Sequence, residues 1–314
     1  MKNNINFLKG PIFIFGASGF IGVNLFKLII KYRNDVFAIS RSSKSIRLQG
    51  INNSNIIILD IKDQYKLNEI ISFYKPKTIF NLIAYGSYPF QDNINKIYQV
   101  NFHYLKGLVE CLSRYEICSF INAGTSSEYG LNSNAPKEYD PLYPNSDYAI
   151  SKLSFYYYLK YFAFKNNFPS IHLRLYSVYG ELEENSRLIP TLLKQANLKK
   201  FPRLVNKDIS RDFIYIDDVC EAFIMAAKNI KPQMYGEVYN IGTGIKTTIE
   251  ELAYLVKELF SIKSDPIFDT YINRKWDVTN WYSNPTKASS ELKWKYNTSL
   301  KKGLLFTDEY NNNK

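Results

Sequence analysis

Ile12-Phe13-Ile14-Phe15-Gly16-Ala17-Ser18-Gly19-Phe20-Ile21-Gly22 decides the fold. Four apolar residues in a row read as a buried strand, and three glycines follow at once with the spacing GxxGxxG. Phe20 to Tyr32 then shows helical periodicity through Ile21, Leu25, Leu28 and Ile29, and Val36-Phe37-Ala38-Ile39 reads as a second buried strand. A glycine loop between a strand and a helix is the setting that dinucleotide binding requires. Gly16 permits the tight turn, Gly19 lets a pyrophosphate approach the backbone, and Gly22 lets the helix pack closely. The free amides at the helix N-terminus hold the anion.

Working outward, buried strands and helices keep alternating. Ile56-Ile57-Ile58-Leu59 ends at Asp60, placed to meet the adenine end of a dinucleotide. Lys66 to Tyr74 reads as a helix, and Thr78 to Ala84 as a strand whose following loop borders the cofactor. Ile94 to Tyr115 is a long helix with Val100, Tyr104, Leu108 and Leu112 on one stripe. Ile117 to Ala123 and Ile171 to Tyr179 are further strands. The alternation predicts a doubly wound parallel α/β sheet, a Rossmann fold. From Gly180 the pattern loosens through Glu181 to Asn185, Ile189-Pro190 and Phe201-Pro202, as substrate-binding excursions do. Arg211 to Asp218 returns to strand, Val219 to Lys228 to helix, and Tyr239 to Gly244 to a last strand and turn. Thr247 to Leu259 is a helix with Thr247 or Thr248 as cap and Glu250-Glu251 behind them, and the tail from Asp265 is loop-rich. Residues 1–179 with 209–242 are thus expected to form the dinucleotide-binding domain, and 180–208 with 243–314 a smaller C-terminal substrate-binding lobe.

At the end of the second strand, NAD-selective sites place Asp or Glu against the ribose 2′-hydroxyl. This chain has Ser40-Arg41-Ser42-Ser43-Lys44, a guanidinium and hydroxyls suited to a 2′-phosphate. A solvated basic turn is the plainer alternative. NADP(H) is the favoured cofactor, with NAD as the other choice.

Tyr148-Ala149-Ile150-Ser151-Lys152 places a phenol and an ammonium four residues apart at the start of a helix, on one face. Upstream, Gly124-Thr125-Ser126-Ser127-Glu128-Tyr129-Gly130 delivers hydroxyls at the carboxyl end of a strand, the edge where ligands bind in open parallel sheets. With the glycine loop, these point to hydride transfer at a carbinol or ketone carbon with a nicotinamide as carrier.

Composition narrows the class. The 314 residues are 46% apolar and 22% charged, ordinary for a globular chain with a large core. The net charge of +11 is spread along the chain, with no cluster longer than Lys199-Lys200 or Lys301-Lys302. Such scatter argues against a nucleic-acid stripe and fits a positive field around a phosphorylated small substrate. Cys111, Cys118 and Cys220 form no metal-like spacing, and His103 and His172 stand apart from them, so no metal is expected. No run approaches a membrane span, and Met1 to Gly10 lacks a signal-peptide core. A reduced, cytoplasmic enzyme is expected.

GASGFIG, the loop ending in Tyr129-Gly130, YAISK, RLYSVYG, RDFIYIDD, YNIGTG and RKWD at Arg274 to Asp277 occur in that order from Ile12 to about Leu305. In this the chain resembles the extended short-chain dehydrogenase/reductases acting on nucleotide sugars, the NAD-dependent epimerase/dehydratase group. The resemblance implies Tyr148 as general acid/base, its pKa lowered by Lys152 together with the positive nicotinamide of an oxidised cofactor, with Thr125 bonding the same substrate oxygen. It implies cofactor contacts from Gly16, Ser18, Gly19, Phe20, Ile21 and Gly22. Others would come from Ser40, Arg41, Ser42, Asp60 and Ile61, and from Leu82, Ala84, Asn101, Tyr148 and Lys152. Substrate contacts would come from Thr125, Ser126, Ser177, Arg187, Arg211 and Arg274, the last two against a diphosphate; salt bridges to Asp212 and Asp277 are the alternative for them. It also implies a homodimer using helices 94–115 and 148–166.

The family's 4,6-dehydratases carry acids just after the catalytic Thr, where this chain has Ser126 and Ser127, and Glu128 comes too late to match. Dehydration is therefore disfavoured. The expected activity is NADPH-dependent reduction of a nucleotide-linked 4-keto-6-deoxy sugar. The alternatives are an epimerase that keeps NAD bound and, from another class, a cofactor-binding regulator without catalysis.

Overall fold

Seven strands lie side by side and parallel because their short apolar runs are buried on both faces. The structure, a computed structural model, describes residues 2–42, 45–88, 90–271 and 278–313. Helix α1 (Lys2–Asn6) leads into β1 (Ile12–Phe15), α2 (Phe20–Ile30), β2 (Val36–Ser40) and β3 (Ile56–Ile58). Then come α3 (Gln64–Tyr74) and β4 (Thr78–Asn81). Helix α4 (Ile94–Tyr98) runs through a π turn, Gln99–His103, into α5 (Tyr104–Leu112). Strand β5 (Ser119–Thr125), α6 (Asp147–Asn166) and β6 (Ser170–Leu175) follow.

Beyond them lie β7 (Ser177–Tyr179), α7 (Leu188–Asn197), β8 (Ser210–Arg211), β9 (Phe213–Tyr215) and α8 (Ile216–Asn229). The last elements are β10 (Glu237–Ile241), β11 (Thr247–Thr248), α9 (Ile249–Phe260), α10 (Thr286–Glu291) and α11 (Leu300–Asn312).

The sheet order is β10-β6-β5-β4-β1-β2-β3, the doubly wound order expected. Side chains alternate across the sheet, so β1 serves two cores. Ile12 and Ile14 join the cluster that contains Val23, Phe26 and Phe223, whereas Phe13 and Phe15 join Leu67, Leu108 and Phe155. Truncating one such fully buried Phe to Ala costs about 3–5 kcal/mol. The chain leaves β1 in one direction and returns to β4 on its other side, which opens a crevice between their carboxyl ends.

Several elements differ from the sequence reading. The run 171–179 is two strands: β6 ends at Leu175, and the Ser177 N–H bonds the Asp212 carbonyl at 2.9 Å, which pairs β7 with β9 instead. Likewise 211–218 is strand only to Tyr215, after which α8 begins. The excursion after Gly180 contains α7. Pro190 sits in its first turn, where the missing N–H has no helical partner to lose. The tail also contains α11, which Ser299 caps by accepting the Lys302 N–H and which buries Leu304 and Thr307. Among the described residues no helix is long and apolar enough to cross a membrane.

Candidate active site

A cavity of about 650 Å³ opens at the crevice. Gly19, Phe20, Ile21 and Gly22 form one side of it, and Leu82 and Ala84, which follow β4, border it. The loop is closed by the Gly19 N–H on the Gly16 carbonyl at 2.9 Å, with Gly16 at φ 76°. A Cβ on Gly22 would come within 2.3 Å of the Gly16 oxygen, so a larger residue would push the helix off its loop. Glycine backbone walls of this kind fit a dinucleotide pyrophosphate at the start of α2.

Other residues expected to meet the cofactor stand outside this wall. Ser40 ends β2 with its hydroxyl on the Ser42 carbonyl at 2.8 Å, and Arg41 is exposed. Asp60, at the end of β3, accepts the Lys62 N–H at 3.2 Å, and Ile61 beside it is buried. Asn101 is buried in the π turn. Its amide spans the Tyr85 backbone and donates to the Ser151 hydroxyl at 2.9 Å, so it fixes the loop after β4 from behind. Ser18 lies in the glycine loop, and Ser43, Lys44 and Arg274 lie outside the described residues.

Thr125, Tyr148 and Lys152 are brought together in the cavity. Ser146 caps α6 by accepting the Ala149 N–H, which sets Tyr148 and Lys152 on the first two turns. Lys152 is 1% exposed, and burial lowers its ammonium to about 8. The phenol of Tyr148 moves the other way. Burial, with the Glu128 charge, raises it to about 12, against the lowering influence of Arg187 and the Thr125 hydroxyl. Desolvation outweighs these lowering influences.

Beneath Thr125 lies a buried polar cluster. Thr125-Ser126-Ser127-Glu128 folds as a capping box: the Thr125 hydroxyl accepts the Ser127 N–H, and Glu128 returns to the Thr125 N–H at 3.0 Å. Glu128 is 0% exposed and turned away from the cavity. It also takes Arg174 Nε at 2.8 Å and His172 Nε2 at 3.0 Å. Asn122 donates to His172 Nδ1 at 2.9 Å and accepts from Asn81 at 2.7 Å, so a neutral His172 protonated on Nε2 satisfies both of its ring nitrogens. Burial lowers the pKa of His172, in keeping with that form. Burial opposes the charge on Glu128, yet its partners overcome this and hold the carboxyl at about 2. Gly124 is obligatory here, since a Cβ would stand 2.1 Å from His172 Nε2.

The opposite wall comes from the segments after β6. Ser126 accepts the Trp281 indole N–H at 3.0 Å, and Ser177 and Arg211 line the cavity. Arg211 lies over the Trp281 ring at 5.4 Å. Asp212 bonds Thr243, Gly244 and Ser283, which ties the end of β10 to the segment before α10. Arg187 reaches across to the loop after β4, stacking on Tyr88 at 5.2 Å and donating to the Ser87 carbonyl at 3.4 Å. The sequence reading missed Tyr88 and Glu183, which share this wall. It also missed the role of Glu128, although Thr-x-x-Glu was a visible capping signal.

Comparison with known proteins agrees with this geometry. The chain is 26% identical over 317 residues to UDP-glucose 4-epimerase of Mycolicibacterium smegmatis, covering 95% of this chain and 97% of that protein. It is also 26% identical over 317 residues to dTDP-4-dehydro-6-deoxyglucose reductase of Escherichia coli, covering 94% and 96%. The crystal structure of UDP-glucose 4-epimerase from Thermotoga maritima with UDP-glucose superposes with a TM-score of 0.86 at 27% identity, covering 96% of this chain and 98% of that one. The model of the NAD dependent epimerase/dehydratase family matches residues 12–242. The chain belongs to that family.

Proposed function

We propose that the protein is an NADPH-dependent reductase of a nucleotide-linked 4-keto-6-deoxy sugar. The observation that carries the reading is the end of β2, where Arg41 and Ser42 are exposed, the buried Ser40 hydroxyl fixes the turn on the Ser42 backbone, and none of the three is a carboxylate that would repel a 2′-phosphate. The nicotinamide, when bound, supplies the hydride. Tyr148 gives its proton to the ketone oxygen, and a phenol that stays protonated at neutral pH suits a donor. Thr125 donates a hydrogen bond to the same oxygen. Lys152, charged below about pH 8, stabilises the phenolate that remains. Ser126 and Ser127 stand where a dehydratase needs acids, and Glu128 is turned into the core.

Arg211 and Arg187 are the diphosphate contacts of this reading, with residues 180–208 and 243–314 as the sugar-binding lobe. A homodimer belongs to it as well, since α6 exposes Tyr157, Tyr161 and Phe164 at 55%, 56% and 91% on successive turns.

The second reading, an epimerase holding NAD, is favoured by the likeness to the two UDP-glucose 4-epimerases. Extracting cofactor from the purified protein separates them. The reductase is expected to carry no stoichiometric NAD and to bind NADPH at least ten times more tightly than NADH. Bound NAD with the reverse preference would favour epimerisation.

A further inference from the structure

One carboxyl of the cavity wall has no part in the chemistry above. Glu183, between β7 and α7, has a side chain 6% exposed. Its Oε2 is buried with no hydrogen-bond partner among the described residues. Its other oxygen is 3.9 Å from Arg187 Nε, beyond hydrogen-bond range. Leaving a buried carboxyl oxygen unpartnered is costly, and a ligand that bonds it removes the cost. The surroundings are built rather than accidental. Arg187 is held over Tyr88 and on the Ser87 carbonyl, so the two walls meet beside Glu183. Arg187 and Tyr88 both act on the ionisation of Tyr148, which puts this corner of the cavity near the reacting phenol.

We propose that Glu183 is a ligand-contacting residue that donates a hydrogen bond to an uncharged oxygen of the bound molecules, a sugar hydroxyl or the nicotinamide carboxamide. The inference rests on reading the cavity as the site of cofactor and sugar. Burial raises the Glu183 carboxyl to about 8 against the lowering influence of Arg187 and the Gly180 backbone, so at neutral pH it holds its proton. A carboxylic acid can donate, whereas a carboxylate only accepts. Arg187 and Tyr88 face it. The neighbouring Glu184 is engaged by Arg47 at 3.2 Å, and Tyr148 and Lys152 line the same cavity.

The test uses full-length wild type, Glu183→Gln and Glu183→Ala. NADPH, NADH, UDP-glucose and dTDP-glucose are titrated calorimetrically against each at pH 7 and pH 9.5. Glu183→Ala is expected to weaken one class of probe about 3–10-fold at pH 7, the worth of a single hydrogen bond. Glu183→Gln, which keeps a donor, is expected to weaken it less and to lose less affinity than wild type between pH 7 and pH 9.5. A loss confined to the reduced cofactors assigns the contact to the carboxamide, and one confined to the nucleotide sugars assigns it to a hydroxyl. Unchanged affinity for all four probes in Glu183→Ala overturns the proposal. If that variant does not fold, an equal pH dependence in wild type and Glu183→Gln overturns it. A wild type preferring NADH would count against the NADP reading alone, because the Glu183 claim is decided by variant against wild type with whichever cofactor binds.

Discussion

Two glutamates are buried near Tyr148, and their carboxyls shift in opposite directions. Glu128, under Thr125, accepts hydrogen bonds from Arg174, His172 and the Thr125 backbone, and its carboxyl falls to about 2. Glu183, in the facing wall, lacks a hydrogen-bonded partner on Oε2 among the described residues, and its carboxyl rises to about 8. Burial pushes both upward, so the partners decide the charge. The first is part of a finished floor that sets Thr125 in place. The second is a group that the fold leaves for a ligand to complete.

The largest effect that could break this contrast is on stability. Glu128→Ala leaves the Arg174 guanidinium buried without its carboxylate and is expected to cost about 3–5 kcal/mol in urea unfolding. A loss under 1 kcal/mol would mean that Glu128 is not the structural member of the pair.

Next comes pH. Glu128 is ionised from about 2 upward when folded and from its ordinary value of 4.5 when unfolded, so its contribution is present above 4.5 and lost as pH falls towards 2. Glu183 behaves oppositely. The folded state binds the extra proton between 4.5 and about 8, so stability falls as pH rises through that window, by on the order of a few kcal/mol. Glu183→Gln is therefore expected to match wild type near pH 5 and to melt higher than wild type at pH 9. Parallel melting curves across this range would erase the distinction.

The smallest effect concerns Lys152, whose ammonium is lost above about pH 8 when folded. In the reductase reading, kcat/KM for ketone reduction falls about tenfold per pH unit above that value. A flat profile to pH 10 would remove Lys152 charge from the mechanism.

Much of this was legible because it is local. The glycine loop, the apolar strands and the Tyr148–Lys152 spacing are each written within a dozen residues. So is the reciprocal cap of Thr248 and Glu251 on α9. The partners of Glu128 were not legible, because His172 and Arg174 lie 44 and 46 residues away and meet it only through the register of β5 with β6. Glu183 sits in a stretch read as irregular, and 181–187 do form turns and coil between β7 and α7, where no periodicity signals burial. Its burial depends on Arg187 reaching a loop 100 residues earlier in the chain. Long-range pairing, not composition, turned two ordinary glutamates into opposites.

The most direct measurement is a single-turnover assay with equimolar purified protein, NADPH and dTDP-4-keto-6-deoxyglucose, following absorbance of the reduced cofactor and the sugar product together. The account predicts one NADPH oxidised per deoxyhexose formed, with Tyr148→Phe slower by about 10²–10⁴-fold. No NADPH oxidation above background, with UDP-glucose instead converted to its C4 epimer by NAD that is not consumed, would contradict it.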